Sequence, residues 1–295
     1  MASEIAPSEP RISRRALLKA GLGGAAGLAL YSTIVARHWI DVTHHDLAIK
    51  GLPAAFDGLR IVQMSDIHLD EFTEPLFLDH AITLVNEMNP DLVLLTGDFV
   101  SFGLSSRKFA VGSAWQCANL LTALHCPSVY AVLGNHDHNV SARIVTTALV
   151  DNGIKVLTNS HTPIERSGSR LWLAGVDDPV MGEPNPELAI PPTIRDVPNE
   201  PVILMCHAPD YADDLLRHPA GRSVDLMLSG HTHGGQVRLP IVGAMQLPPM
   251  GRKYVEGAFT LGRLQLYVNR GLGTVGVPFR FDCPPEISQL TLRTG

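Results

Sequence analysis

Aromatic residues, cysteine and excess positive charge are all scarce in this chain of 295 residues. Aromatics make up 6%, a thin supply for a protein that holds single-stranded nucleic acid by stacking bases. Lys and Arg total 23 against 29 Asp and Glu. The resulting −6 is the wrong sign for a general phosphate-backbone binder, so there is no nucleic-acid-binding signal. Four cysteines (Cys117, Cys126, Cys206, Cys283) are too few and too scattered for a disulfide framework. Free buried thiols are expected, with a Cys117–Cys126 bridge as the alternative. Hydrophobic residues at 45% and charged residues at 18% exclude a disordered chain, a coiled coil and a multi-span membrane protein. No internal repeat occurs, and the Pro-rich Gly182–Pro201 stretch reads as a surface loop. The length suits one large domain or two ordinary ones, either with a sizeable core. What the chain has in quantity is histidine, 13 of them.

The N-terminus reads as an address. Ser13-Arg14-Arg15-Ala16-Leu17-Leu18-Lys19 leads into a mild apolar run, Ala20 to Ala36, rich in Gly and Ala. Paired Arg ahead of such a run resembles a twin-arginine (Tat) export signal. Ile34-Val35-Ala36 makes a poor cleavage site because Ile34 is large, so the segment is either removed or kept as an anchor. The run reaches about 25 Å as a helix, marginal for a bilayer. The division expected is residues 1–36, a Tat-type signal or anchor, and residues 37–295, one domain. The Tat machinery becomes a partner, and the body lies outside the cytoplasm: periplasmic, in the wall, or membrane-anchored.

The remainder alternates strands and helices. Apolar, β-rich runs occur at Leu59–Ser65, Asp91–Thr96, Val129–Leu133, Leu171–Val176, Val202–Cys206 and Val224–Ser229. Their near-continuous hydrophobicity predicts a sheet covered on both faces. Helical spacing places Phe77, Ala81, Leu84, Val85 and Met88 on one face, and further helices fit Lys108–Leu124, Val140–Asn152 and Ala212–Arg217. Gly and Pro punctuate short strands after Gly235, including Gln265–Asn269 and Ile287–Leu292, which should extend the sheet.

Five of these strands end in polar donors. Asp66-Ile67-His68, Gly97-Asp98, Gly134-Asn135-His136-Asp137, His207 and Gly230-His231-Thr232-His233 each follow an apolar run. In open α/β sheets, ligands bind at that carboxyl edge. Asp66 and His68, like His231 and His233, are i, i+2 pairs that share a face in extended chain. Oxygen and imidazole donors without thiolate favour Mn, Fe or Zn over a structural zinc site. Seven such donors exceed what one ion takes, whereas two ions about 3.5–4 Å apart would use them all and form a clamp for in-line attack on phosphate.

The ordered series, spanning residues 66 to 233, resembles the calcineurin-like metallophosphoesterases. Each block is weak alone, and the set in order is specific. Phe56-Asp57-Gly58-Leu59-Arg60-Ile61, Arg270-Gly271-Leu272-Gly273 and Pro284-Pro285-Glu286-Ile287 resemble the Tat-exported YaeI/YkuE-type phosphodiesterase branch. The resemblance implies an α/β fold, a four-layer α/β/β/α sandwich. It implies two divalent or mixed-valence metal ions, one on Asp66, His68 and His233, the other on Asn135, His207 and His231, with Asp98 bridging and a hydroxide between them as nucleophile. His136 matches the family's catalytic His, which stabilises the transition state or protonates the leaving oxygen. Asp137 would orient it. His138 and Arg270 are weaker candidates for substrate contact.

Phe99-Val100-Ser101 after Gly97-Asp98 departs from the Asp-Arg-Gly continuation of the Ser/Thr protein phosphatases, which argues against that activity. The expected function is hydrolysis of a phosphoester, a diester foremost, at the cell envelope. Its substrate would be a phospholipid, a cell-wall phosphodiester or a nucleotide. The alternatives are a pyrophosphatase of the UDP-2,3-diacylglucosamine type and a non-catalytic metal-binding module, which should have lost ligands this chain keeps. Val275–Phe279 and Leu239–Met250 read as core and loops, with a lipid-facing rim as the second reading. His38, His44, His45, His80, His125, His161 and His218 read as surface or packing residues.

Overall fold

The structure, a computed structural model, describes residues 13–70, 72–102 and 106–295. An N-terminal helix α1 (Arg14–Leu30) is capped by the Ser13 hydroxyl and continues through a wider turn, Tyr31–Ala36. The body then runs β1 (Asp41–Ile49), β2 (Arg60–Met64), α2 (Pro75–Glu87), β3 (Leu92–Leu95), α3 (Arg107–Leu121), β4 (Val129–Ala131), α4 (Asn135–Asp151) and β5 (Lys155–Val156). It proceeds through β6 (Ser160–Arg166), β7 (Ser169–Gly175), α5 (Pro186–Ala189), β8 (Val202–Met205), α6 (Tyr211–Arg217) and β9 (Val224–Ser229). A small hairpin, β10 (Arg238–Leu239) and β11 (Gly243–Ala244), precedes β12 (Gly257–Leu261), β13 (Leu264–Val268) and β14 (Glu286–Thr294).

Two six-stranded sheets form, ordered β1-β14-β2-β3-β4-β5 and β12-β13-β9-β8-β7-β6. Strands β2 to β5 are parallel, as are β7, β8, β9 and β13, and the outer strands β6 and β12 are antiparallel to their neighbours. Successive side chains leave a strand on opposite faces. Ile61, Leu92, Leu94, Ile203 and Met205 therefore meet between the sheets. Val62, Met64, Val93 and Leu95 face α2, α3 and α4, while Val202, Leu204 and Met227 face α5 and α6. Helix, sheet, sheet and helix make the four-layer sandwich, and burial on both faces is why the strands read as unbroken apolar runs.

Three expectations change. Residues 182–201 are more than a surface loop: α5 and the turn after it bury Ala189, Ile190 and Ile194 against α6 and the second sheet. Helix α4 starts at Asn135, five residues before its apolar spacing becomes visible. The N-terminal helix spans Arg14–Ala36, 23 residues or about 35 Å, which is ample for a bilayer core. Most of it is exposed, but Ser32 and Ala36 are buried against the body, and the Ser32 carbonyl accepts the Arg280 N–H at 3.2 Å. All four cysteines are free thiols.

Candidate metal centre

The donors follow the carboxyl ends of β2, β3, β4, β8 and β9, where the two sheets open side by side. Asp66, His68 and His233 form one buried group, and Asp98, His207 and His231 another, each with its donor atoms within 4.8 Å of one another. His68 Nε2 lies 3.1 Å from His233 Nε2, and Asp66 Oδ1 lies 3.3 Å from the latter. Asp98 Oδ2 sits between the groups, 3.5 Å from His68 Nε2 and 3.2 Å from His207 Nε2. Asn135 Oδ1 is buried, with no hydrogen-bond partner among the described residues.

The backbone makes this convergence. Asp66, His68, Asp98, His231 and His233 all have φ between 46° and 73°, the left-handed region that side chains normally avoid. The i, i+2 pairs thus converge through tight turns and not through the pleat of an extended strand. Such strain persists only where surrounding contacts over-determine it, as they do at functional sites. Two glycines let the loops touch. A Cβ at Gly134 would stand 2.7 Å from His207 Nε2, and one at Gly230 would collide with Ser65 and the Asp66 carboxylate.

Hydrogen bonds set the imidazole tautomers. His207 Nδ1–H donates to the Thr96 carbonyl at 2.7 Å, which turns the Nε2 lone pair toward Asp98. His231 Nε2–H donates to the Pro249 carbonyl at 2.7 Å, leaving Nδ1 for a cation. Burial, aided by His207, pushes His231 down to about 4, so it is neutral and ready to ligate. Burial opposes charge on His207 too, but Asp98 and Asp66 overcome it and raise that ring. For Asp66, burial raises the carboxyl, while His233 and His68 hold it well below the usual range. The Nε2 atoms of His68 and His233 facing each other at 3.1 Å, an unpartnered Asn135 oxygen and buried carboxylates are a donor set that fits cations.

His136 stands apart from both groups. Its backbone N–H donates to Asp98 Oδ1 at 2.8 Å, its ring meets His68 edge-on, and Nδ1 is unpartnered among the described residues. Burial lowers its pKa against the pull of Asp98, so the ring is neutral. Asp137 does not reach it. The Asp137 carboxylate instead accepts backbone N–H groups from Asp98, Phe99, Val100 and Gly134. His138 is paired with Asp177 at 2.8 Å. Arg270 is held by Glu286 and Asp41, at 2.9 and 2.7 Å, and is not among the residues lining the cavity.

A cavity of about 400 Å³ opens here, its polar part formed by Asp98, Asn135, His136, His231 and His233. Its apolar part comes from Val237, Met245, Pro248, Val275, Val277 and Phe279. Two features were not anticipated from the sequence. Asp177 and Asp178 follow the apolar run of β7 just as the other donors follow theirs, and that signal was available. The fully buried Arg280, 3.3 Å from His233 Nδ1 and donating to the Arg270, Gly271, Gly273 and Cys283 carbonyls, gave none. Most of the apolar cavity wall falls within Val275–Phe279 and Leu239–Met250, where a lipid-facing rim is the second reading of the sequence and core and loops the first.

Two sheets back to back, with buried imidazoles and carboxylates crowning their carboxyl edges, define a metal-dependent phosphoric ester hydrolase. A family model for calcineurin-like phosphoesterases matches residues 59–235, and the chain belongs to that family. The chain is 34% identical to the uncharacterized metallophosphoesterase YkuE of Bacillus subtilis, over 96% of this chain and 99% of that protein. It is 33% identical to the phosphodiesterase YaeI of Escherichia coli, over 95% of this chain and 99% of that protein. UDP-2,3-diacylglucosamine pyrophosphatase LpxG of Chlamydia trachomatis is 29% identical, over 79% and 83%. Among solved structures, the Haemophilus influenzae NAD nucleotidase NadN shares the fold, with a TM-score of 0.50 at 14% identity, covering 72% of this chain and 45% of that one.

Proposed function

We propose that the protein is a phosphodiesterase acting at the outer face of the cell membrane with two divalent cations, Mn, Zn or Fe. The observation that carries this is Asp98 Oδ2 lying between two buried donor groups beside an unengaged His136. Asp66, His68 and His233 would hold one cation, Asn135, His207 and His231 the other, and Asp98 both. When bound, the cations supply Lewis-acid charge for the phosphoryl oxygens and acidify the attacking water.

The chain's own groups do the rest. His136 touches the substrate: its ring N–H can hydrogen-bond the leaving oxygen as charge develops there. Asp137 positions both ligand loops through their backbones. The apolar wall excludes water and leaves room for a second esterified group, which favours a diester over a monoester. His138, beside Asp177, would stand behind the polar wall and contact substrate only on leaving that partner. The role of Arg270 is to position Gly271 beside Asp66 rather than to contact phosphate.

The helix Arg14–Ala36 would be a Tat-type signal retained as an anchor. Arg14, Arg15 and Lys19 at its start favour a cytoplasmic N-terminus, with the body outside. Its docked Ser32 and Ala36 support retention. The likeness to LpxG and the apolar wall support a second reading, cleavage of a nucleotide–lipid pyrophosphate. Purified protein with added Mn²⁺ should hydrolyse bis-p-nitrophenyl phosphate faster than the monoester; the reverse preference would overturn the diesterase reading. UMP release from UDP-2,3-diacylglucosamine would favour the second.

A further inference from the structure

The β10–β11 hairpin is built to be wet or to be in lipid, and its composition decides which. From Leu239 to Gly251 there is no charged residue. At its tip Ile241 is fully exposed, Val242 and Met245 are mostly exposed, and Leu239 is partly so. Ile241 has φ 72°, a left-handed conformation that is a poor choice for a β-branched residue. An ordinary hairpin tip would place Asn or Gly there. A strained isoleucine pushed into water has no stabilising role in the isolated body, and contiguous exposed apolar residues mark an interaction surface.

One segment ties the hairpin to the N-terminal helix. Val237 bridges to Phe281, and the Arg238 N–H donates to the Phe281 carbonyl. The Gln236 amide donates to the Val275, Val277 and Phe279 carbonyls. The neighbouring Arg280 N–H reaches Ser32 at the end of the helix. The segment Val275–Phe281 therefore joins helix end, hairpin and the apolar wall of the cavity, and from Gly271 to Phe279 it too lacks charge.

From this continuity we infer that the Leu239–Met245 hairpin dips into the same bilayer that holds Arg14–Ala36. The cavity then opens onto lipid and draws from it an amphiphile, with its phosphodiester at the donor groups and its apolar chain along Met245, Val277 and Phe279. The inference rests on the hydrolytic reading for the substrate, but not for the membrane seat.

The test uses the full chain in vesicles of phosphatidylcholine and phosphatidylglycerol. In a Val242→Trp variant, brominated acyl chains should quench fluorescence beyond the wild-type background. The double variant Ile241→Asp, Val242→Asp, altered outside the cavity, should hydrolyse vesicle phospholipid about tenfold more slowly, because charge is expelled from the acyl region. Its rate on soluble bis-p-nitrophenyl phosphate should stay at the wild-type value. No added quenching, whether the protein is monomeric or a dimer covering the hairpin, overturns the membrane seat. Equal rates on vesicles for variant and wild type, or equal losses on both substrates, overturn the lipid route. A wild type inactive on bis-p-nitrophenyl phosphate overturns the hydrolytic reading instead, and the quenching then decides the seat alone.

Discussion

Asp137 is bonded to the backbone of Asp98: its Oδ2 accepts the Asp98 N–H at 2.9 Å and, with the same atom, the Gly134 N–H at 3.0 Å. One carboxylate thus fastens the loop after β3 to the loop after β4, and with them Asp98 to Asn135. Burial and the Asp98 charge raise Asp137 to about 7, so the clamp is held under electrostatic load.

Removing that clamp should be costly. Asp137→Ala leaves buried N–H groups without an acceptor, which amounts to about 2–4 kcal/mol. Urea unfolding should show the loss, and metal content should fall with it. Asp137→Asn keeps one acceptor oxygen and should lose less. A fully stable, metal-replete Asp137→Ala protein would refute the clamp.

His136→Ala is expected to separate binding from turnover. The ring belongs to neither donor group, so both ions should remain by metal analysis while kcat on a diester falls about 10²–10³-fold. Loss of metal along with activity would instead make His136 a ligand.

Asp98→Asn should lower the occupancy of both ions together, because the oxygen between the groups loses its charge. Retention of two ions per chain would contradict the bridging assignment. Metal binding should also weaken as pH falls, since Asp98 and Asp66 raise His207, and a cation must displace the proton held there. Titration calorimetry in buffers of different ionisation heat would read the released protons.

The His138–Asp177 pair gives a pH signature in stability. The bond to Asp177 raises His138, a contribution complete below the ordinary His value of about 6.5 and lost as pH rises through the higher folded value. Burial raises Asp177, but the bond from His138 and two backbone N–H groups lower it, so its contribution is lost as pH falls below about 4. The pair should therefore stabilise most between about pH 4 and 6.5, by about 1 kcal/mol. The difference in Tm between wild type and His138→Gln should shrink from pH 6 to 8.5; a constant difference would count against the pair.

Much of this centre was legible in the chain because β2, β3, β4, β8 and β9 are buried on both faces. Their apolar runs end abruptly where the sheet opens, and the next polar residue is a donor. The outer strands were illegible for the converse reason: β1 carries His44, His45 and Asp46, and β6 alternates partly exposed residues, so neither writes an apolar run. Helix α4 hid its first turn because Asn135-His136-Asp137-His138 serves the site and its loops, not the core.

The order of the donors and the chemistry of their atoms were in the sequence alone, since residue type dictates which cations an oxygen or imidazole will accept. Which atoms meet was decided in three dimensions. Left-handed turns at Asp66, His68, His231 and His233 are tolerated only because packed sheets and glycine gaps hold them. The placing of Arg280 behind His233 and against Ser32, and of Asp137 under two loops, joins residues remote in the chain. Local pattern carries no record of contacts made only when separate layers pack.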